Sequence, residues 1–183
     1  SICNTKKYTY ECFNILIFSL SQIKFFFLKN NYDNSHILNL NDCFNYNQKI
    51  EMFDGLNKMY CSDCHSKEDI LLQKRIDITP PVLIIVLDRG VNSMDYRENF
   101  EFEEILNLQD FVPNNNYTLY YLCGVIVHFG ESGPSGHFIA LCKMDIYSPW
   151  YSYNDSTVNE CQDQRELFRK GTPYILFYHY YNN

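Results

Sequence analysis

The pattern of apolar residues along the chain predicts more strands than helices. Residues 8–28 are rich in aromatic and β-branched side chains, and we expect two strands there, the second buried at 23–28. Residues 82–87 form an unbroken apolar run after Pro80 and Pro81, which predicts a strand buried on both faces. The other expected strands have the same aromatic or alternating character and lie at residues 70–78, 117–129, 137–144, 150–154 and 173–180.

Helical spacing is confined to short segments. Apolar residues recur at roughly helical intervals in residues 42–49, and Asn41 can accept hydrogen bonds from the first amides of that helix. Residues 160–168 are expected to form a second short helix. The excess of strands over helices predicts an α+β fold dominated by an antiparallel or mixed sheet with few short helices.

Composition and charge narrow the class of protein. The 183 residues suit one domain or a large piece of a longer chain, and 46% apolar residues exclude a disordered protein. A net charge of −7 disfavours nucleic-acid binding, which calls for a basic surface. Residues 13–28 are too short and too polar to span a bilayer, and no small-residue cleavage site follows them. Because the chain opens without Met, we interpret it as a piece of a longer protein.

The eight cysteines leave two interpretations open. An even number is compatible with disulfides, but a chain of this length needs no covalent staples and shows no signal peptide. We therefore expect a reducing intracellular compartment, cytoplasmic or nuclear. There a cysteine is a metal ligand, a nucleophile or a small apolar side chain.

Two segments carry candidate acid–base chemistry. His137 lies where a Gly/Ser loop enters a strand, which suits a general base, although a surface histidine beside a turn is the simpler interpretation. Asn154 ends an aromatic strand, and pairing of that strand with the one at His137 would bring its side chain to the imidazole. It could then hold one ring nitrogen and leave the other basic. The alternative is that Asn154 and Asp155 only form a turn.

The spacing of Cys61 and Cys64 is typical of two thiolate ligands on one zinc ion. A structural site needs two further ligands. Cys3 is a candidate for the third, and no residue before it offers the fourth. The alternative is a pair of thiols in a tight turn.

The order of the motifs resembles that of the ubiquitin-specific proteases, the papain-like deubiquitinase family. The C-terminal two-thirds of the chain match best, and the segment after Cys3 and residues 40–44 match less closely. The matching motifs are YCSDC, QKRIDITPPVLIIVLDR, YYLCGVIVHFGESGPSGHFIALCK, WYSYNDSTV and TPYILFYHY.

The resemblance implies a partial papain-like fold, with residues 1–78 mainly in the zinc-ribbon-like fingers and 79–183 mainly in the palm. It implies that the chain is monomeric and binds ubiquitin or ubiquitinated proteins. It also implies residue roles. His137 would be the catalytic base, oriented by Asn154 with Asp155 sharing that role, and a structural Zn²⁺, partial or lost, would be bound by Cys61, Cys64 and Cys3.

Several positions depart from the family pattern. Phe138 replaces the common Tyr after the catalytic His, and Gly90 replaces the Phe of a Leu-x-Arg-Phe ending. The segment that carries the nucleophilic cysteine is absent. Cys43 is the one substitute near a predicted helix start, where the dipole lowers a thiol pKa, but its surroundings lack the Gly- and Asn-rich approach of such a site.

The expected function is therefore that of a deubiquitinating thiol hydrolase, which cleaves after the C-terminal glycine of ubiquitin, present as a fragment without its nucleophile. One alternative is an inactive ubiquitin-binding pseudo-enzyme or gene fragment. A third interpretation is a zinc-ribbon-like interaction domain in which His137 and Asn154 are incidental.

Overall fold

The computed structural model describes residues 5–30, 33, 35–90, 98–112, 117–132 and 135–181. Its elements follow in chain order. They are β1 (Leu16–Ser19), α1 (Leu20–Lys29), β2 (Leu38–Asn39), α2 (Leu40–Asn47), β3 (Ile50–Phe53), β4 (Met59–Cys61), β5 (Ser66–Glu68), β6 (Ile70–Gln73), β7 (Val82–Asp88), β8 (Phe100–Glu101), β9 (Ile105–Asn107), β10 (Leu119–Ser132), β11 (Ser135–Cys142), β12 (Trp150–Asn154), β13 (Thr157–Cys161), α3 (Gln164–Lys170) and β14 (Thr172–Tyr180).

One large mixed sheet organises the molecule. Its strands run in the order β1-β7-β14-β10-β11-β12-β13, and β9 pairs with β10 beside this path. Strands β1 and β7 are parallel, whereas the other pairs in this sheet are antiparallel. Three small two-stranded sheets, β2-β8, β3-β6 and β4-β5, accompany it. The predicted α+β fold with a mixed sheet is confirmed.

Strand β7 covers the core with one face only. Leu83, Ile85 and Leu87 are at most 1% exposed, whereas the alternate residues Ile84 and Val86 are only half-buried. The prediction of a strand buried on both faces is therefore wrong. An unbroken apolar run cannot distinguish these cases, because side chains of a strand alternate between its two faces whatever covers them.

The expectation of a second strand at residues 23–28 is also wrong, because this segment lies in α1. Leu20, Ile23 and Phe27 share one side of that helix and are buried in the main core. Phe25 points outward and is 69% exposed. Three successive phenylalanines favour a strand on propensity, but the packing of this face decides the outcome. Among the described residues, no helix has the length and apolar character needed to cross a bilayer.

The predicted helix near Cys43 is confirmed, with an earlier start. Asn39, rather than Asn41, is its N-cap, and the side chain of Asn39 accepts from the backbone N–H of Asp42 at 3.1 Å. The Asp42 carboxylate accepts in return from the backbone N–H of Asn39 at 3.0 Å. This reciprocal capping box satisfies two amides that a helix start leaves without intrahelical partners.

Two other predicted elements are shorter than expected. Strand β6 ends at Gln73 and does not continue to residue 78. The predicted helix at 160–168 begins later, because residues up to Cys161 belong to β13. Asp163 marks the new start, since its carboxylate accepts from the backbone N–H of Arg165 and Glu166.

Candidate active site

The pairing of β11 with β12 brings together two of the residues that the sequence singles out. Ala140 lies opposite Tyr153 and Leu141 opposite Ser152, as predicted for a hairpin-like pair. Extending this antiparallel register by one residue sets Asn154 opposite Ile139. Since side chains alternate along a strand, His137 and Asn154 lie on the same face as diagonal neighbours.

A short hydrogen bond joins the two side chains. His137 Nε2 lies 2.6 Å from Asn154 Oδ1. An amide oxygen only accepts, so Nε2 carries the proton and donates it. In the neutral ring the other nitrogen, Nδ1, is then unprotonated and able to accept a proton. The His137 side chain is 47% exposed, which leaves this basic edge accessible to a reacting group.

Asp155 contributes charge to the site rather than a hydrogen bond. Its Oδ2 lies 3.9 Å from His137 Nε2, and its side chain is 82% exposed. The residue has a φ of 50° in the turn between β12 and β13, a left-handed conformation that Asp tolerates better than most residues. The structure therefore brings all three predicted residues together, with Asn154 as the hydrogen-bond partner of His137.

Sequence analysis missed His128, which is part of the same region. This β10 residue is 1% exposed and packs against Phe138, with ring centroids 4.4 Å apart. Burial, and to a lesser degree the nearby His137, hold its pKa below the ordinary value. The one signal in the sequence is a histidine inside an otherwise apolar strand, two residues before a glycine.

Four of the described cysteines lie in environments that suppress the thiolate form. Cys43 is fully buried in the core, where burial and the charge of Asp42 raise the pKa of its thiol far above the usual range. Burial also raises the thiol pKa of Cys123, Cys142 and Cys161. A nucleophilic cysteine needs the opposite shift, because the thiolate is the reactive form.

The predicted zinc ligands lie at one hairpin, and the described residues do not complete a site. Cys61 ends β4, and Cys64 lies in the turn to β5. Cys3 falls outside the described residues, and within the described ranges no three His, Cys, Asp or Glu side chains are grouped to hold a metal ion. Lys7, four positions after Cys3, contacts the Ser62 hydroxyl and lies 3.4 Å from the Asp63 carboxylate. The side chain of Lys7 thus reaches this turn.

Comparison with known proteins identifies a family and several relatives. The sequence profile described as Ubiquitin carboxyl-terminal hydrolase matches residues 10–178. Ubiquitin carboxyl-terminal hydrolase 9 of Saccharomyces cerevisiae is 28% identical over 145 residues, which cover 73% of this chain and 19% of the relative. Ubiquitin carboxyl-terminal hydrolase 25 of Arabidopsis thaliana is 36% identical over 136 residues, which cover 70% of this chain and 20% of the relative.

A solved structure is also similar to this chain in fold. The SAGA DUB module of Ubp8, Sgf11, Sus1 and Sgf73 bound to monoubiquitin contains a chain with a TM-score of 0.72 and 25% identity. The match covers 98% of this chain and 38% of that one. The match to each of the two sequence relatives covers about a fifth of that relative's length.

The thiol environments lead to a labelling prediction. When the folded chain is treated with N-ethylmaleimide at pH 8, we expect the exposed Cys12 to react and Cys43 to resist, because burial both blocks access and suppresses its thiolate. Mass spectrometry of the tryptic peptides measures both rates, and the denatured chain, in which both thiols should react, is the control. Labelling of Cys43 as fast as Cys12 in the folded chain would show that our description of its environment is wrong.

Proposed function

Because the chain belongs to the ubiquitin carboxyl-terminal hydrolase family, we propose that it carries the general-base half of a thiol protease site acting after the C-terminal glycine of ubiquitin. The hydrogen bond between His137 Nε2 and Asn154 Oδ1, 2.6 Å long, is the observation that supports this proposal most strongly. It is the base–orienter contact of a nucleophile–His–Asn set.

The proposed chemistry begins at His137 Nδ1. This nitrogen takes the proton of a cysteine thiol, and the resulting thiolate attacks the carbonyl carbon of the glycine. His137 then returns the proton to the leaving lysine amine as the C–N bond breaks, and water hydrolyses the thioester to release ubiquitin. Asn154 keeps the ring in one orientation throughout, and the exposed carboxylate of Asp155 lies 3.9 Å from the same ring nitrogen.

We propose that the attacking thiol comes from a cysteine other than those the structure describes. Four of the described thiols have pKa values raised by burial, among them Cys43, the one candidate near a helix start. Ubiquitin as the partner is supported by the family and by the similar chain in the structure of a SAGA DUB module bound to monoubiquitin. The monomeric state, the intracellular location and the boundary near residue 78 stay predictions.

A structural zinc site at the β4–β5 turn also stays a proposal. Cys61 and Cys64 have the spacing of two thiolate ligands, and the contacts of Lys7 bring the segment that follows Cys3 to this turn. Bound zinc would cross-link that segment to the hairpin and would take no part in the proton transfers at His137.

Reaction with activated ubiquitin tests the proposed function. The 183-residue chain and the full-length gene product are each incubated with ubiquitin that carries a thiol-reactive C-terminal group. We expect a covalent adduct with the full-length product and none with the 183-residue chain. In the full-length product His137→Ala should slow hydrolysis of a ubiquitin substrate about 10²-fold or more, because it removes the general base. His179→Ala, at an exposed histidine of β14, is the matched control and should leave the rate unchanged.

Two outcomes would overturn this assignment. An adduct on Cys43 of the 183-residue chain would show that the nucleophile lies within it. Binding of ubiquitin by the full-length product, with neither adduct nor hydrolysis, would favour the non-catalytic ubiquitin-binding alternative.

Metal analysis tests the zinc proposal separately. After purification in the presence of zinc, we expect less than one equivalent per 183-residue chain, and Cys61→Ser should abolish the binding because it removes one of few thiolate ligands. Cys161→Ser, at a thiol of β13, is the control and should leave the zinc content unchanged. Stoichiometric, tight zinc in the 183-residue chain would contradict our count of the ligands, and zinc retained by Cys61→Ser would exclude this turn as the site.

A further inference from the structure

His128 lies in β10, the strand that pairs with β11, which carries the candidate base. In β10 it pairs with Phe138 of β11 on one side and with Thr172 of β14 on the other. It therefore shares the face of Phe138, whereas His137, the next residue, projects from the opposite face. The two imidazoles are thus separated by the backbone of β11 at its N-terminal end.

The His128 ring lies against the backbone of the residue that precedes His137. A Cβ atom built on Gly136 would lie 2.4 Å from both Cε1 and Nε2 of His128, far inside van der Waals contact. A Cβ on Gly130 would likewise lie 2.7 Å from His128 Cε1. Only glycine leaves room for this approach, and Gly136 also has a φ of +150°, which side chains rarely allow. The imidazole therefore occupies the space beneath two backbone segments that meet at the hairpin.

Aromatic contacts fix the ring from its other sides. Phe138 packs on it with centroids 4.4 Å apart, and Tyr174 lies at 5.9 Å. Phe138 and Tyr174 also contact each other edge to face at 5.4 Å. A ring packed in this way has little room to move, so it restricts the movement of the Gly136 backbone that lies against it.

Burial and the neighbouring His137 hold the pKa of His128 down, which keeps a second positive charge away from the imidazolium that forms during catalysis.

We propose that His128 is a positioning residue, whose buried imidazole supports the backbone of Gly136 and thereby holds His137 Nε2 within hydrogen-bond distance of Asn154 Oδ1. The role matters for catalysis only if the proposed function is correct. The hydrogen bond itself exists in the 183-residue chain and can be measured there, so the two hypotheses are tested separately.

The test measures exchange of the His137 Nε2 proton with water by NMR of the ¹⁵N-labelled 183-residue chain. We expect a resolved Nε2–H resonance in the wild type. His128→Ala should accelerate its exchange at least about fivefold, because loosening Gly136 weakens a bond worth about 1 kcal/mol. His128→Gln should give an intermediate rate, since the glutamine side chain is neutral but lacks the rigid imidazole ring. If His128→Ala does not fold, His128→Gln is compared with the wild type instead.

Val125→Ala is the matched control. Val125 is a fully buried residue of the same strand, so its truncation loosens the core without touching Gly136. The exchange rate in this variant should stay at the wild-type value although the free energy of unfolding falls. Equal acceleration in Val125→Ala and His128→Ala would show a general loss of stability and overturn the proposal. An unchanged rate in the folded His128 variants, or no Nε2–H resonance in the wild type, would do the same. If the full-length product failed to hydrolyse a ubiquitin substrate, the measured exchange rates would still decide the role of His128.

Discussion

The antiparallel register between β11 and β12 is the constraint on which the candidate site depends. His137 and Asn154 lie 17 positions apart in sequence, and the strand pairing alone makes them diagonal neighbours. A slip of one residue would turn Asn154 to the opposite face and break its contact with the imidazole. Burial secures the register, because Trp150, on the same face of β12 as Asn154, is 4% exposed and such a slip would turn it out of the core.

The two ends of this strand pair have different characters. At one end Trp150 packs edge to face on Phe168 of α3, and the buried amine of Lys143 lies over its ring at 5.1 Å and 3.6 Å from the Glu104 carboxylate. At the other end His137 and Asn154 project beyond the core and remain accessible. General acid–base chemistry requires an imidazole that reaches the substrate without changing its own orientation. Strands that are rigidly packed at one end and carry an accessible His137 at the other provide this arrangement.

Local sequence patterns predicted the elements of the site better than those of the surrounding core. The strands at His137 and Asn154 were predicted because aromatic alternation and flanking turn residues mark their ends. Residues 23–28 are expected to form a strand but lie in α1, since the choice between strand and helix there depends on which side chains meet the core, and that is not encoded in propensity. His128 is missed because a histidine in an apolar strand does not show by itself which backbone its ring will lie against, and its closeness to Gly136 depends on the register of β10 with β11. Cys3 and the ligand set of the zinc site stay predictions.

The central claim is that Asn154 holds His137 with its proton on Nε2 and leaves Nδ1 free to act as a base. Long-range ¹H–¹⁵N correlation spectra of the 183-residue chain, recorded at a pH at which the ring is neutral, distinguish a protonated from an unprotonated ring nitrogen. The account predicts a protonated Nε2 and an unprotonated Nδ1 for His137, with a through-space contact from the Nε2 proton to the Asn154 side chain. A proton on Nδ1, or a ring whose nitrogens average between the two states as in free histidine, would contradict it.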